Sequence, residues 1–300
     1  MKEKTLYVIT GPTASGKSAL AVEIAERLGT EIISADSRQV FSGIPIVTAM
    51  PTAAERERVR HHLIDFLPLD AYYSAARFEE DAVPIAGRLI SERGVAVVCG
   101  GSMLYVDALC GGIDDIPTVP DSIRRALEEE LASNGEEWLL GELERRDPEY
   151  YAEVDRKNIK RVFHAVEIIR TSGRSYTSLR TGGRKHRPWR IIKIALNSDR
   201  VGLFGRINGR VDAMIDAGLE EEARRVWPMR HLNSLNTVGL KEMFAMFEGK
   251  MERAEAIDRI KKNTRVYAKK QLSWWKRDSS LHWLDFNSSR LLDDVLTILS

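Results

Sequence analysis

A phosphate-binding loop pattern constrains this chain more than any other feature of its sequence. Residues 11–18 read Gly-Pro-Thr-Ala-Ser-Gly-Lys-Ser, which fits G-x-x-x-x-G-K-[ST]. The pattern lies between a short apolar run, residues 6–9, and a helical stripe of apolar residues over 18–28. Such a loop directs backbone N–H groups and the positive end of a helix toward a diphosphate. The loop alone does not say which diphosphate it binds.

The residues of this loop have separate predicted tasks. Lys17 neutralises phosphate oxygens, and the Ser18 hydroxyl ligates Mg²⁺, the predicted cofactor. The glycines permit the turns that aim the amides at the phosphates. The predicted diphosphate site consists of Gly11, Thr13, Ala14, Ser15, Gly16, Lys17 and Ser18.

Strand and helix patterns alternate over the first hundred residues, which predicts an α/β fold with a P-loop NTPase-like parallel sheet core. The predicted strands are residues 6–9, 31–35 and 95–99, and the predicted helices are 18–28 and 74–93. Beyond two consecutive glycines at 111–112, long charged helices follow until an apolar run at 191–196. We therefore predict a first part of the core over 1–120, an inserted α-helical domain over 121–190, and a second part over 191–300 that ends in basic helices.

Polar residues follow two of the predicted strands. Asp36 follows the second strand, so it emerges at the same sheet edge as the loop, where an active-site acid or base belongs. A turn or helix-capping aspartate is the structural alternative. Residues 95–99 lead into Gly100-Gly101-Ser102 and not into the metal-binding aspartate of a usual ATPase. The two glycines permit close backbone approach to a ligand, or a tight turn, and Ser102 adds a hydroxyl.

The formal net charge of +1 hides strongly segregated charges. Residues 128–155 hold eleven acidic side chains against two basic ones, whereas 156–193 hold twelve basic side chains and one acid, Glu167. Residues 261–277 hold seven bases and no acid, and Lys262, Arg265, Lys269 and Lys276 recur there at helical spacing. Such blocks favour a nucleic-acid partner, with a solvated basic surface as the alternative.

Other features point to no further chemistry. Cys99 and Cys110 have no metal-ligand spacing, and the adjacent His61 and His62 point in different directions on any regular element. No signal-peptide core precedes residues 6–9, and no apolar run is long enough to span a membrane. We expect a cytoplasmic monomer with no membrane contact.

Several segments, in this order, match one known family. They are residues 11–18, 35–41 (Ala-Asp-Ser-Arg-Gln-Val-Phe), 61–65 (His-His-Leu-Ile-Asp), 100–105 (Gly-Gly-Ser-Met-Leu-Tyr), 237–242 (Thr-Val-Gly-Leu-Lys-Glu) and 264–271 (Thr-Arg-Val-Tyr-Ala-Lys-Lys-Gln). On these segments the sequence closely resembles the bacterial tRNA dimethylallyltransferase family, also called tRNA isopentenyltransferases. Three departures are the residues Ser102 and Met103 where the family has Thr-Gly, the segment 47–51 (Val-Thr-Ala-Met-Pro) where it has Gly-Thr-Ala-Lys-Pro, and His164 where it has Arg.

The resemblance implies an activity and a set of residues. It implies transfer of a dimethylallyl group from dimethylallyl diphosphate to N6 of adenine 37 in the tRNA anticodon stem-loop, with the inserted domain gripping tRNA. Asp36 is implied as the general base, and Ser102 as the counterpart of a threonine at the reaction centre. The residues implied to contact tRNA are Asp36, Ser37, Arg38, Gln39, Ser102, Arg124, Lys160, Arg161, His164, Lys241, Arg265, Lys269, Lys270 and Lys276.

Other functions stay open at this stage. A small-molecule P-loop kinase would hold ATP in the loop and use Asp36 to activate a hydroxyl. An adenylate isopentenyltransferase would use a free nucleotide, which leaves both basic segments without a task. A non-catalytic RNA-binding adaptor would bind tRNA and release no product.

Overall fold

The structure is a computed structural model that describes residues 4–299. Residues 1–3 lie outside the described part. The prediction that no signal-peptide core precedes residues 6–9 rests partly on them. The strands are β1 (Thr5–Thr10), β2 (Ile32–Ser34), β3 (His61–His62), β4 (Val95–Cys99), β5 (Arg190–Asn197) and β6 (Leu281–Asp285). The helices are α1 (Lys17–Leu28), α2 (Ala53–Arg58), α3 (Ala75–Arg93), α4 (Met103–Gly111), α5 (Asp121–Arg146), α6 (Pro148–Glu153), α7 (Ile159–Ser172), α8 (Tyr176–Leu179), α9 (Arg200–Asp216), α10 (Leu219–Val226), α11 (Leu240–Phe247), α12 (Arg253–Trp275) and α13 (Leu291–Leu299).

The six strands form one parallel sheet in the order β3-β2-β4-β1-β5-β6. Every residue of β1 is buried, as is typical of a central parallel strand that helices cover on both faces. One face packs a core that includes Leu6, Val8 and Phe78, and the other packs Ile9, Ile24 and Ile194. The predicted parallel α/β core is confirmed.

The sheet order brings the segments that carry the predicted chemistry to one edge. β4 lies between β1 and β2, and all three strands run in the same direction. The phosphate-binding loop, the Asp36 loop and the Gly100-Gly101-Ser102 turn therefore follow three adjacent strands. Their carboxyl ends form the edge at which open α/β sheets bind ligands.

The C-terminal part differs from the prediction in one element. The sequence predicts only helices after 191–196, but β6 pairs with β5 as an edge strand. Within β6 only Leu281 is buried, while His282 and Trp283 are exposed. An edge strand needs few buried side chains, so β6 has too little apolar pattern to be recognised.

Residues 111–186 form a compact helical unit, and the other described residues, 4–110 and 187–299, form a second. The insertion is predicted over 121–190. Residues 111–120 belong to the helical unit because they bond to its end: Lys185 N–H donates to Gly111 O at 2.8 Å, and Thr181 Oγ1 donates to Asp114 Oδ1 at 2.7 Å. The helical unit has its own core, in which Leu127, Leu139, Leu143, Val162 and Val166 are fully buried.

Candidate active site

The phosphate-binding loop adopts left-handed backbone at three of its residues. The φ angles of Gly11, Ala14 and Gly16 are 135°, 66° and 88°. Gly11 is required for space as well, because an added Cβ would lie 2.4 Å from Leu196 O. Helix α1 begins at Lys17, within the loop pattern, and has no acidic residue in its first turn. The helix N-terminus therefore presents free amides and positive potential to an anion.

Lys17, within this loop, is half-buried. Its Nζ donates to Pro12 O at 3.4 Å. Burial lowers the pKa of Lys17 and the nearby Arg210 lowers it further, while Asp36 opposes both. An anion bound here replaces lost hydration and stabilises the charged ammonium. The next residue, Ser18, lines the same cavity.

Two arginines of α9 complete the positive environment, and the sequence analysis missed both. Arg210 donates to Thr13 Oγ1, and burial lowers the pKa of its guanidinium. Arg206 stacks on Phe286 at 4.5 Å from the ring centroid, and its Nη2 lies 3.0 Å from where a Cβ on Gly16 would be. Their spacing of four residues on a helix after a core strand was the available signal.

Asp36 is held in a turn by its own loop. Its Oδ1 accepts hydrogen bonds from the N–H groups of Arg38 at 2.9 Å and Gln39 at 3.3 Å. No group within residues 4–299 donates to Oδ2, and Asp36 lines the cavity with Lys17 and Arg210. Burial raises the pKa of Tyr267, and the charge of Asp36 raises it further. One carboxylate oxygen is thus anchored and the other is available to a substrate.

The turn after β4 contacts other parts of the protein closely. An added Cβ on Gly100 would lie 2.1 Å from Ala35 O, and one on Gly101 would lie 2.5 Å from Gln271 Nε2. The sequence predicts that these glycines permit close approach to a ligand or a tight turn. In the structure, the groups that approach them closely belong to the protein itself. Ser102 is buried, and its Oγ accepts a hydrogen bond from Ser37 N–H at 2.7 Å.

A cavity of about 570 Å³ joins Lys17, Asp36 and Arg210, and Ser102 and Arg206 do not line it. Its polar lining comes from the phosphate-binding loop, the Asp36 loop, α9 and α12. Its apolar lining includes Val211, Met214, Leu219, Val238 and Ile260. The predicted tRNA contacts that line it are Asp36, Ser37, Arg38, Gln39, Lys241 and Lys270. The cavity thus combines a cationic anion site, a carboxylate and an apolar wall.

The predicted tRNA contacts of the sheet unit also make contacts within the protein, and these fall into two groups. Arg38 donates to the carbonyls of Asn233 and Ser234 at 2.8 and 3.1 Å, and Gln39 is buried. The second group lies on α12, where Arg265 donates to Asn208 Oδ1 at 2.6 Å and Lys269 lies 5.8 Å from the Phe204 ring. Lys276, at the end of that helix, is exposed.

The helical unit carries the other predicted contacts. Lys160 and Arg161 are exposed in the first turn of α7, and His164 is exposed one turn later. Glu167, the single acid of the basic block, is buried and binds Arg124 at 3.0 Å and His164 at 2.8 Å. Burial raises the pKa of Glu167, but the hydrogen bonds from His164 and Arg124 outweigh it and lower the pKa below its usual range.

The histidine pair takes part in local contacts. His61 Nδ1 lies 2.8 Å from Val59 O, and His62 Nε2 lies 2.5 Å from Glu31 Oε2. Across residues 4–299, no group of three or more His, Cys, Asp or Glu side chains is arranged to hold a metal ion. None of the helices in that range is both long and apolar enough to cross a membrane.

Comparisons with known proteins identify the family. The IPP transferase family model matches residues 39–278. The tRNA dimethylallyltransferase 2 of Parabacteroides distasonis is 51% identical over 279 residues, 93% of each chain. The protein of that name from Porphyromonas gingivalis is 47% identical over 299 residues, 100% of this chain and 99% of its own.

Solved structures that resemble this chain lead to the same family. The full-length tRNA isopentenylpyrophosphate transferase of Bacillus halodurans is 35% identical, with a TM-score of 0.70 over 99% of this chain and 94% of its own. A eukaryotic dimethylallyltransferase acting on tRNA shares the fold, with a TM-score of 0.79 and 24% identity over 97% of this chain and 76% of its own. Since the family model, near-full-length relatives and the fold coincide, the chain belongs to the IPP transferase family.

Proposed function

We propose that this protein transfers a dimethylallyl group from dimethylallyl diphosphate to N6 of adenine 37 in the tRNA anticodon loop. One observation carries the proposal: a cationic phosphate-binding loop and a carboxylate, Asp36, line the same cavity. Relatives named tRNA dimethylallyltransferase support the same reaction. They do not favour the kinase alternative.

The diphosphate end of the reaction uses the loop, Lys17 and Arg210. When the bond between C1 of the dimethylallyl group and the diphosphate oxygen breaks, negative charge accumulates on the diphosphate. Lys17, Arg210 and the first amides of α1 stabilise that charge. Groups fixed in place before the reaction need no reorganisation, so they stabilise the departing anion more than mobile water does.

The donor set of the cavity fits Mg²⁺. Magnesium is commonly held by one or two protein oxygens together with substrate phosphates, not by a full protein cage. The Ser18 hydroxyl, at the start of α1, supplies such an oxygen and lines the cavity. We propose that Ser18 and the diphosphate hold Mg²⁺, which when bound neutralises charge on the leaving group.

The adenine end of the reaction uses Asp36. The lone pair of the exocyclic amine is delocalised into the ring, so N6 is a weak nucleophile. As N6 forms its bond to C1, the amine proton passes to the free carboxylate oxygen of Asp36. The turn that holds Oδ1 orients the other oxygen for this transfer. The products are N6-dimethylallyladenine and diphosphate, and Asp36 then releases the proton.

Recognition of tRNA uses basic surfaces on both units. The α12 surface is formed by Arg265, Lys269 and Lys276, and the α7 surface by Lys160 and Arg161. Single-stranded loops expose bases that an enzyme can unstack at low cost, which suits a cavity that must receive one adenine. We further propose that the enzyme works in the cytoplasm as a monomer.

The proposal is tested by incubating the protein with dimethylallyl diphosphate, Mg²⁺ and an unmodified tRNA transcript that has adenine at position 37. Mass spectrometry of the digested nucleosides is expected to detect adenosine carrying one five-carbon isoprenoid unit. A matched transcript with guanine at position 37 should give no such product. Turnover of ATP without a prenylated nucleoside would instead support a kinase.

A further inference from the structure

Gln271 bonds to two active-site loops at once. It lies on α12 and is 1% exposed. Its Oε1 accepts a hydrogen bond from Thr13 N–H at 2.8 Å, and its Nε2 donates to Gly101 O at 2.9 Å. One buried amide therefore connects the phosphate-binding loop to the turn after β4.

The structure leaves little freedom at this link. The primary amide of Gln271 offers both a donor and an acceptor within one short planar group, and it does so without depending on protonation. A Cβ on Gly101 would lie 2.5 Å from Gln271 Nε2. The φ angle of Gly101 is not positive, so a side chain at this position would act by displacing the Gln271 amide and not by straining the backbone.

The hydrogen bonds of Gln271 connect the diphosphate site to the loop of the proposed base, Asp36. On one side, the Thr13 N–H donates to Gln271. The Thr13 hydroxyl accepts a hydrogen bond from Arg210, which belongs to the diphosphate site. On the other side, Gly101 precedes Ser102, which holds the loop of Asp36 through Ser37 N–H. Movement of the Gln271 amide would shift the diphosphate site relative to the proposed base.

We propose that Gln271 is a positioning residue that sets the separation between the diphosphate and Asp36; this rests on the proposed function. Its neighbours Lys269 and Lys270 are exposed and available to tRNA, whereas Gln271 is enclosed by protein. A displacement of about 1 Å between reacting groups can cost on the order of 10² in rate. Gln271 therefore acts on the rate of transfer and not on the binding of either substrate.

The first test replaces Gln271 by Met, which has a similar length and no amide. At saturating tRNA and dimethylallyl diphosphate, we expect the single-turnover rate to fall by about 10- to 100-fold. Dissociation constants of both substrates should change by less than about threefold, on the scale of ordinary context effects. Ala256→Gly, in a buried position earlier on α12, controls for reduced helix stability and should keep the parent rate.

The second test uses the contact between Gln271 and Gly101. Gly101→Ala forces the amide away, so it should slow transfer as Gln271→Ala does. In the double variant, the added methyl meets no amide, and the rate should match the Gln271→Ala single variant within about twofold. If the two substitutions acted through independent structural losses, their fold reductions in rate would multiply instead.

Four outcomes oppose the inference. A Gln271→Met rate within about threefold of the parent would overturn it, as would multiplicative effects in the double variant. A loss confined to substrate affinity would make Gln271 a binding residue. Failure of the parent protein to prenylate tRNA in the same assay would remove the proposed function itself, and the inference with it.

Discussion

The Ser102 hydroxyl and the Ser37 backbone N–H are joined by a hydrogen bond of 2.7 Å. Ser102 follows β4 and Ser37 follows β2, so this bond connects two loops at the active edge of the sheet. A second bond, from Ser102 N–H to Ala35 O at 3.2 Å, runs in parallel. The Ser102 side chain thus holds the loop of Asp36.

Replacing Ser102 by Ala should reduce transfer while Ser102→Thr retains it. Alanine leaves the Ser37 N–H without its acceptor, and an unsatisfied buried donor costs about 1–3 kcal/mol. We expect the single-turnover rate of Ser102→Ala to fall by about tenfold or more, because the Asp36 loop shifts. Threonine keeps the hydroxyl. Equal rates for the Ala and Thr variants would show that the bond has no role in the reaction.

Asp36→Asn should abolish chemistry and preserve binding. Asparagine is nearly isosteric and still accepts the N–H groups of Arg38 and Gln39, so the turn is retained, but its amide cannot take a proton. Loss of a general base lowers the rate by about 10² to 10⁴, which is about 3 to 5 kcal/mol of barrier. Single-turnover prenyl transfer to tRNA measures this. A rate close to that of the parent would assign Asp36 to capping its turn, where asparagine serves equally well.

Lys17→Ala should weaken binding of dimethylallyl diphosphate and leave tRNA affinity unchanged. Hydrogen bonds to charged groups contribute about 1.5–3 kcal/mol, which corresponds to a 10- to 100-fold loss of diphosphate affinity. Isothermal titration calorimetry measures both ligands. Lys250→Ala, an exposed lysine, is the matched control and should bind diphosphate as the parent does.

The pH dependence of the same binding follows from the lowered pKa of Lys17. The protonated ammonium binds the diphosphate, so affinity is full below that pKa and decreases as the pH rises through it. The decrease should occur at a lower pH than the ordinary lysine value of about 10.4. A pH titration of the affinity from neutral pH upward should show this decrease in the parent and not in Lys17→Ala. A parallel decrease in both proteins would assign the titration to another group.

Removing Arg265 and Lys269 together should weaken tRNA binding and reduce its salt dependence. Each phosphate contact contributes roughly one unit to the slope of log affinity against log salt. The double alanine variant should lose up to about two units. Arg253 and Arg259 lie on the same helix, paired with Glu220 and Glu255, and their double replacement is the control. Equal slopes for both variants would mean that the α12 surface only faces solvent.

Glu167→Gln should destabilise the helical unit. Glu167 has a lowered pKa in the folded protein, so its contribution is present above the unfolded value of about 4.3 and is lost as the pH falls through the folded value. The glutamine variant loses the charge that holds Arg124 and His164. Because both partners are partly exposed, we expect a loss of about 1–3 kcal/mol near neutral pH.

Calorimetric unfolding at pH 7 and near pH 3 separates the contribution of the Glu167 charge from that of its packing. The difference in stability between parent and variant should shrink at the acidic pH, because below the unfolded pKa of about 4.3 Glu167 takes up a proton when the parent unfolds. A difference that stays constant over this range would assign the effect to packing and not to charge. His164→Ala, which keeps the Arg124 contact, should give a smaller loss at neutral pH.

Short-range features of the sequence determined the central part of the fold and the chemistry placed there. The phosphate-binding loop depends on glycine at positions with positive φ, and both its position and the strand β4 could be read directly. Asp36 could be placed because parallel strands bring their carboxyl ends to one edge. Such signals are local, since backbone conformation and side-chain period act within a few residues.

The tertiary structure decided the features that depend on distant residues. Arg210 meets Thr13 across 197 residues, and Gln271 meets it across 258. Neither side chain differs in sequence from an exposed one on an amphipathic helix. Likewise, β6 forms because it can pair with the otherwise unpaired edge of β5, and not because its own residues have a strand-like apolar pattern. Contacts of this kind form only when the whole chain has packed, so the pattern of any one segment does not contain them.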